Sequence, residues 1–278
     1  MTAIITLTTD FGLTDAYVAE MKGVILSINH EAKLVDICHT VRPQKIEEAA
    51  FVLGTAYQFF PTGTIHLVVV DPGVGTERRA VILKTPTAYF VAPDNGVLSY
   101  VIQDYPGRQE GLPKELKAVS ITNPRFWREP VSPTFHGRDI FAPVAAHLSL
   151  GTPIREFGKS ITSLVRLPIP QSRREEDGSL VGQVSHIDSF GNLTTNIKSD
   201  RLPSGGQTVI VEIANQRINQ LSRTYAKGKG LLALIGSSDY LEIALTGGSA
   251  AGFLHVKIGD EVKVKLKTKK KREVKRQK

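Results

Sequence analysis

The sequence predicts an α/β N-terminal domain with a largely parallel sheet, followed by a small C-terminal β-barrel domain. Three observations carry that prediction. Apolar, β-branched runs alternate with segments of helical periodicity over about the first 160 residues. A Pro-rich, then charged stretch, "PIPQSRREEDGSL" (168–180), interrupts the pattern. Beyond it, short strand-like runs follow one another at turn spacing with few helix signals. The expected boundaries are an α/β domain at 1–165, a linker at 166–180, a barrel at 181–265 and a basic tail at 266–278.

Each element has its own signal. "AIITLTTD" is short and β-branched and ends in an acid, as a strand leading to a loop does. "YVAEMKGVILSI" spaces its apolar residues for one helix face. "KLVDICHTV" is strand-like, and "KIEEAAFVLGTAYQFF" is a helix stopped by Pro61 and Gly63. "TIHLVVV" reads as a buried strand, and "AVILKTP" and "AYFVAP" follow as two more. "GVLSYVIQDY", after Asn95-Gly96, and "GRDIFAPVAAHLSLG", ended by Gly151, read as helices. In the second domain "LVGQVSHID", "TVIVEI", "QRINQLSR", "GLLALIG", "YLEIAL" and "EVKVKL" read as strands. In sheets of the first kind, ligands sit beyond the C-terminal strand ends. Asp10 and Asp71 each follow a strand and belong to that rim.

The chain has 278 residues, 41% hydrophobic and 22% charged, an ordinary globular balance. No apolar stretch approaches the roughly 20 residues that cross a bilayer. "MTAIITLTTDFG" lacks the pattern of a signal peptide. Cys38 is the single cysteine, so no internal disulfide forms and a cytoplasmic location is expected. The net charge of +8 is unevenly placed. Residues 263–278 hold 10 Lys/Arg against one Glu, and the rest of the chain holds 25 basic against 26 acidic residues. The basic signal thus belongs to a tail expected to be solvated and disordered, and nucleic acid is a partner only through it.

Several motifs carry chemistry. Asp10 in "TTDFGLTDAYV" either caps a turn or accepts hydrogen bonds from ribose hydroxyls, as acids do in other α/β nucleoside sites. "DPGVGTERR" (71–79) is neither a P-loop nor a dinucleotide loop, since it lacks the Lys-Ser/Thr and leads to a strand, not a helix. It is either a plain turn with Arg78 and Arg79 on the surface or a device that puts Asp71 and one arginine into one site. Of seven histidines, His136 in "PTFHGRDIF" is the best functional candidate, before a helix and among polar residues. No HExxH or Cys/His cluster is present, so no metal is expected. Cys38 and His39 are adjacent on a strand and point to opposite faces. In "SHIDSFGNLTTNI", Asn192 and Phe190 offer an amide and an aromatic face, a pairing that suits a purine. "GSSDY" offers hydroxyls and N–H groups for a small carboxylate.

Taken in order, "TTDFG…DAYV…MKG", "VDICHTV", "FFPTGTIHLVVVDPGVGTERR", "APDNGVL", "PTFHGRDIFAPVAAHL", "IDSFGNLTTNI" and "GSSDYLEIAL…GSAA" resemble the S-adenosyl-L-methionine hydroxide adenosyltransferases, relatives of the fluorinase and chlorinase enzymes. The resemblance spans about residues 4–262. It implies a homotrimer in which S-adenosylmethionine binds between the N-domain of one subunit and the C-domain of its neighbour. Water-derived nucleophile attacks ribose C5′, releasing methionine and leaving adenosine, with S-adenosylmethionine as substrate and no cofactor. By the same resemblance Asp71, Arg78 (rather than Arg79) and His136 form the group that marks the hydrolase branch. Asp10 corresponds to the ribose acid, Asp188 to the group holding the methionine amine, and Phe190 and Asn192 to the adenine contacts. Ser237 and Ser238 fall in the loop that holds the methionine carboxylate, where this chain has Asp239 in place of a common glycine. Asp15 and Tyr17 fall where the first helix approaches the methionine end.

The departures also carry information. The halogenases have a tyrosine at the Asp71 position, and the fluorinase has hydroxyl residues at the Val74 and Gly137 positions. Its long insertion is missing here, since "AVILKTPTAYF" passes directly from strand to strand. Hydrolysis is therefore expected over halogenation. The alternatives are a halogenase and a binding module that holds S-adenosylmethionine or adenosine without turnover.

Overall fold

The computed structural model describes residues 3–105, 107, 111–202, 209–227 and 229–266. The expected basic tail lies, beyond Leu266, outside these residues. The chain divides between Ile169 and Pro170 into two compact units.

The first unit is organised by strands whose two faces are both apolar. In β3 (Thr64–Val69) every residue is buried, because successive side chains enter two different cores. Ile65, Leu67 and Val69 join one core with Met21, Ile25, Val144 and Leu148. Val68 joins the other with Ala49, Leu53, Val101 and Ile102. The first core belongs to α1 (Tyr17–Ile28) and α4 (Ala142–Ser149), the second to α2 (Ile46–Ala56) and α3 (Ser99–Gln103). Helices thus cover both faces of a seven-stranded sheet. Its strands are β1 (Ile4–Thr9), β2 (Lys33–Cys38), β3, β4 (Ala80–Lys84), β5 (Ala88–Pro93), β6 (Lys117–Ile121) and β7 (Gly158–Ile161), in the order β2-β1-β3-β5-β4-β6-β7.

Three of the six ladders, β2-β1, β1-β3 and β3-β5, are parallel, and these strands carry Asp10 and Asp71 at their C-terminal ends. The other three are antiparallel. The reason at β4-β5 is chain length: the residues between Lys84 and Ala88 close a hairpin but cannot make a crossover. β6 and β7 then extend the antiparallel half, and neither had a clear sequence signal.

Two helices differ from their expected extents for local reasons. The segment after Asn95-Gly96 is helical only over Ser99–Gln103. The run from Gly137 begins as a π-turn (Gly137–Phe141) before α4. Pro143 has no N–H to give the Asp139 carbonyl four residues back, and that carbonyl instead accepts the Arg128 N–H at 2.8 Å.

The second unit is an antiparallel barrel of β8 (Arg173–Arg174), β9 (Leu180–Ile187), β10 (Leu193–Lys198), β11 (Val209–Ile213), β12 (Gln216–Ile218), β13 (Leu231–Ile235), β14 (Tyr240–Leu245) and β15 (Glu261–Leu266), with one short helix, α5 (Ala250–Leu254). The order is β12-β11-β15-β9-β10-β14-β13, with β8 on β9. A bridge from Leu221 to Ala233 brings the two ends of the sheet together, so the barrel is nearly closed. Val184, Leu193, Val211, Leu241, Ile243 and Val262 fill its interior. Part of the stretch expected as linker is paired: β8 folds onto β9 through a turn with Gly178 at φ 78°. Among the described residues no helix is long and apolar enough to cross a membrane.

One buried titratable group makes the first unit sensitive to acid. His66 on β3 is fully buried, stacked on Phe90 at 5.0 Å, with Nδ1 2.8 Å from the Thr6 hydroxyl. Burial pushes its pKa down to about 4. In the unfolded chain it titrates near 6.5, so as pH falls the unfolded state takes up the proton first. The stability that neutral His66 contributes is complete above about pH 6.5 and is lost as pH falls toward 4. Urea unfolding at pH 7.5 and pH 5 is expected to differ by about 2 kcal/mol more in the wild type than in His66→Phe. Equal differences in the two proteins would remove His66 as the cause.

Candidate active site

The DPGVGTERR loop begins where β3 ends, and its backbone is a succession of tight turns. The Val74 N–H donates to the Asp71 carbonyl at 3.2 Å, and the Thr76 N–H to that of Gly73 at 3.1 Å. Gly75 has φ 77°, and a Cβ there would lie 2.5 Å from the Pro133 carbonyl oxygen. Only glycine therefore fits, and its absent side chain lets this loop touch the loop that carries His136.

The loop is clamped at both ends by Asp94 and Asn95, at the end of β5. Asn95 donates through Nδ2 to the Val70 carbonyl at 2.9 Å, one residue before Asp71. Arg79 pairs with the buried Asp94 carboxylate. The two adjacent arginines thus part, since Arg79 is taken by Asp94 and Arg78 turns to Asp71.

Arg78 sits between two groups. Its Nε donates to both Asp71 oxygens at 2.9 Å, and Nη2 donates to Oδ2. Nη2 also lies 2.9 Å from His136 Nδ1. Only 5% of the Asp71 side chain and 11% of Arg78 remain exposed, so solvent competes little for these bonds. The Phe141 ring packs 5.1 Å from the guanidinium. A guanidinium only donates, so His136 Nδ1 is the acceptor and the ring carries its proton on Nε2. Burial, then the Arg78 charge, lower the His136 pKa below its ordinary value, against a smaller upward pull from Asp71 and Asp139.

His136 is held by the π-turn that follows it. Asp139 is fully buried and accepts from Arg138 Nε at 2.8 Å, Arg128 Nη1 at 3.2 Å and the Ser132 N–H at 2.9 Å. Burial alone would raise its pKa, but Arg138, Ser132 and Arg128 hold it below the usual carboxylate value. Arg138 reaches on to Glu20 of α1 at 2.9 Å.

A cleft of about 370 Å³ brings Asp10, Tyr17, Asp71, Val74, His136 and Gly137 together, with Phe11, Gln44 and Phe135 among its other walls. Asp10 Oδ2 accepts the Gln44 N–H at 2.8 Å, which fixes the carboxylate at the rim. Phe11, Tyr17 and Phe135 meet edge to face at 5.3–5.8 Å. Asp15 does not line this cleft; it is exposed just ahead of α1.

In the second unit Asp188, Phe190 and Asn192 come together in the β9–β10 turn, in a pocket of about 670 Å³ shared with Tyr225, Leu245 and Ser249. Asp188 organises the turn. Its Oδ1 accepts the N–H groups of Phe190 at 2.9 Å and Asn192 at 2.8 Å, and its Oδ2 accepts Asn192 Nδ2 at 2.9 Å. The Phe190 ring is 77% exposed at the mouth of this pocket. Ser237 and Ser238 are not among the residues that line this pocket; they lie in the β13–β14 turn, next to Gly236, which packs against the Glu242 carboxylate. Tyr225, in a polar loop with no motif around it, was not legible as a wall; its hydroxyl is fixed by Glu242 at 2.6 Å. Asp94, Asn95 and Asp139 were likewise missed as supports. Their signal was the rim position of "PDNG" and the Arg-Asp pair beside His136.

Among the described residues, no three His, Cys, Asp or Glu side chains cluster to hold a metal ion.

Comparison with known proteins agrees across both units. The family model for the SAM hydroxide adenosyltransferase N-terminal domain matches residues 5–158, and that for the C-terminal domain matches residues 182–263. The chain is 37% identical over 262 residues to an (R)-S-adenosyl-L-methionine hydrolase of Salinispora tropica, covering 94% of this chain and 97% of that one. It is 38% identical over 260 residues to one of Thermus thermophilus, covering 92% and 96%. A fluorinase of Nocardia brasiliensis is 30% identical over 301 residues, covering 95% and 97%. The crystal structure of an uncharacterized conserved protein from Thermotoga maritima superposes with a TM-score of 0.84 at 38% identity, over 94% of this chain and 99% of that one. The chain belongs to the SAM hydroxide adenosyltransferase family.

The Arg78 contact has a spectroscopic consequence. Imidazole nitrogen shifts should show His136 as the neutral Nε2-H tautomer at pH 6.5, with an apparent pKa below that value. Arg78→Met removes the repelling charge and leaves Asp71 close by, so the pKa should rise. An Nδ1-H tautomer in the wild type would contradict the assignment.

Proposed function

We propose that this family member hydrolyses S-adenosyl-L-methionine to adenosine and L-methionine, with Asp71, Arg78 and His136 directing one water at ribose C5′. The observation that carries this reading is the unbroken Asp71–Arg78–His136 chain on the cleft that also holds Asp10. The water oxygen bonds to C5′ as the C5′–sulfur bond breaks and its electron pair goes to sulfur. Methionine leaves as a neutral thioether, so no acid is needed on that side and no cofactor enters the balance. One proton of the water stays as the 5′-hydroxyl and the other must be lost.

The residues divide this work. His136, with its proton on Nε2, donates to the oxygen that is gaining hydroxide character. Asp71 keeps lone pairs beyond those used by Arg78 and accepts the departing proton, directly or through water. Arg78 holds both in one geometry. Asp10 takes the ribose hydroxyls, while Tyr17 and Asp15 face the methionine end. Phe190 stacks on adenine and Asn192 reads its edge. Asn192 Nδ2 spends one of its two N–H bonds on Asp188, which fixes the amide, and its carbonyl can accept from the adenine amino group. In this proposal the substrate lies between the N-domain of one subunit and the C-domain of its neighbour in a homotrimer. Asp188 then holds the methionine amine, and Ser237 and Ser238 hold its carboxylate. The cytoplasm, where S-adenosylmethionine is made and used, is the proposed location.

A halogenase is disfavoured by the cleft itself, where Val74 and Gly137 present no hydroxyl to a halide. Incubation with S-adenosylmethionine, with and without chloride or fluoride, should yield adenosine and methionine alone. Halogenated deoxyadenosine would establish the other branch, and unchanged substrate a binding module. Asp71→Ala and His136→Ala should each lower turnover at least ~100-fold while adenosine still binds. Near-normal turnover in both would sink the assignment.

A further inference from the structure

At the opposite end of the sheet from Asp71, a pocket of about 680 Å³ opens under the C-terminal end of α4. Ile65 and Tyr89, at the starts of β3 and β5, form part of its floor, whereas the Asp71 cleft lies past the ends of the parallel strands. The six residues of β3 alone separate the two by roughly 20 Å. The two cavities share no lining residue.

Two lysines face this pocket from adjacent strands. Lys84 of β4 and Lys117 of β6 are direct cross-strand partners, so their side chains leave the same face of the sheet. Like charges directly opposite each other destabilise a sheet unless something neutralises them. Neither lysine forms an ion pair among the described residues, and no carboxylate lines the pocket. The end of α4 does not supply the missing charge, because its carbonyls are taken. The N–H groups of Leu150, Gly151 and Thr152 donate back to Ala146, His147 and Leu148. Arg155 stands at the rim and is paired with Glu156 at 3.7 Å, so the uncompensated charge rests on the two lysines. The Lys84 ammonium lies 5.2 Å from the Tyr89 ring centroid, so an aromatic wall stands beside the charge.

We propose that this pocket is a second binding site, for a small organic anion that pairs a phosphate or carboxylate with a flat, apolar body. The anionic group bridges Lys84 and Lys117, and the body lies against Tyr89 and the apolar floor. The volume falls in the range of small-molecule sites, and the wall is a balance of apolar side chains and a few convergent cations. The inference uses no residue of the Asp71 cleft and does not depend on what that cleft does.

Calorimetric titration of the full chain with adenosine 5′-monophosphate and with benzoate tests it. These probes carry the two anionic groups on flat bodies. At least one should bind saturably, one per chain. Lys84→Met and Lys117→Met should each weaken it by roughly tenfold or more, about 1.4 kcal/mol. Lys117→Arg should keep binding, Asp10→Ala should leave it unchanged, and turnover of S-adenosylmethionine should be equal in the wild type and the lysine variants. No binding of either probe overturns the proposal. So does binding that survives both Lys→Met changes, including adenosine monophosphate lodged in the Asp10 cleft. Circular dichroism of each variant confirms that the comparison is between folded proteins.

Discussion

One guanidinium joins two loops that would otherwise have no reason to meet. Arg78 holds Asp71 through a two-point contact and His136 through Nδ1, and the Asp71 and Arg78 side chains are nearly shielded from solvent. The surrounding structure serves that junction. Gly75 lets the loops touch at Pro133, Asn95 and Asp94 pin the ends of the Asp71 loop, and Asp139 fixes the turn below His136. Apart from the Gly75 approach, these supports are hydrogen bonds or ion pairs that engage the buried carboxylates Asp94 and Asp139 or the Val70 carbonyl, where the loss of a partner is most costly.

The same junction settles an electrostatic conflict. A cationic sulfonium substrate would be repelled by a lone arginine; two like charges 4 Å apart cost about 4 kcal/mol at an effective dielectric of 20. Asp71 neutralises Arg78, and Asp10 adds a further negative charge to the same cleft. An arginine can thus be used for its rigid geometry without opposing the substrate. The arrangement also accounts for the neutral state of His136, since burial and the neighbouring guanidinium both act against a second positive charge.

Much of this was legible in the sequence where one physical signal dominates. The helix expected from "YVAEMKGVILSI" is the helix observed, Tyr17–Ile28, because its apolar spacing alone decides it. "TIHLVVV" announced a strand buried on both sides. What depended on distant partners was not legible. β6, β7 and β10 are defined by their neighbours in the sheet rather than by their own pattern. The antiparallel half of the first sheet follows from a short hairpin that the periodicity does not record. The π-turn needs Pro143 and Arg128 together, and the parting of Arg78 from Arg79 needs Asp94, 15 residues away. Motif order placed Asp71, His136 and Asp10 on one rim, but not Tyr225, fixed by Glu242, as a wall of the Asp188 pocket.

The central claim is that Arg78 acts by geometry, holding an acid and an imidazole at once. Lysine keeps the charge but lacks the planar fork that contacts both partners. Single-turnover kinetics of Arg78→Lys with S-adenosylmethionine test this most directly. The account predicts a chemical step slowed roughly 100-fold or more, with substrate affinity changed far less. A rate close to that of the wild type would show that charge alone suffices and would contradict it.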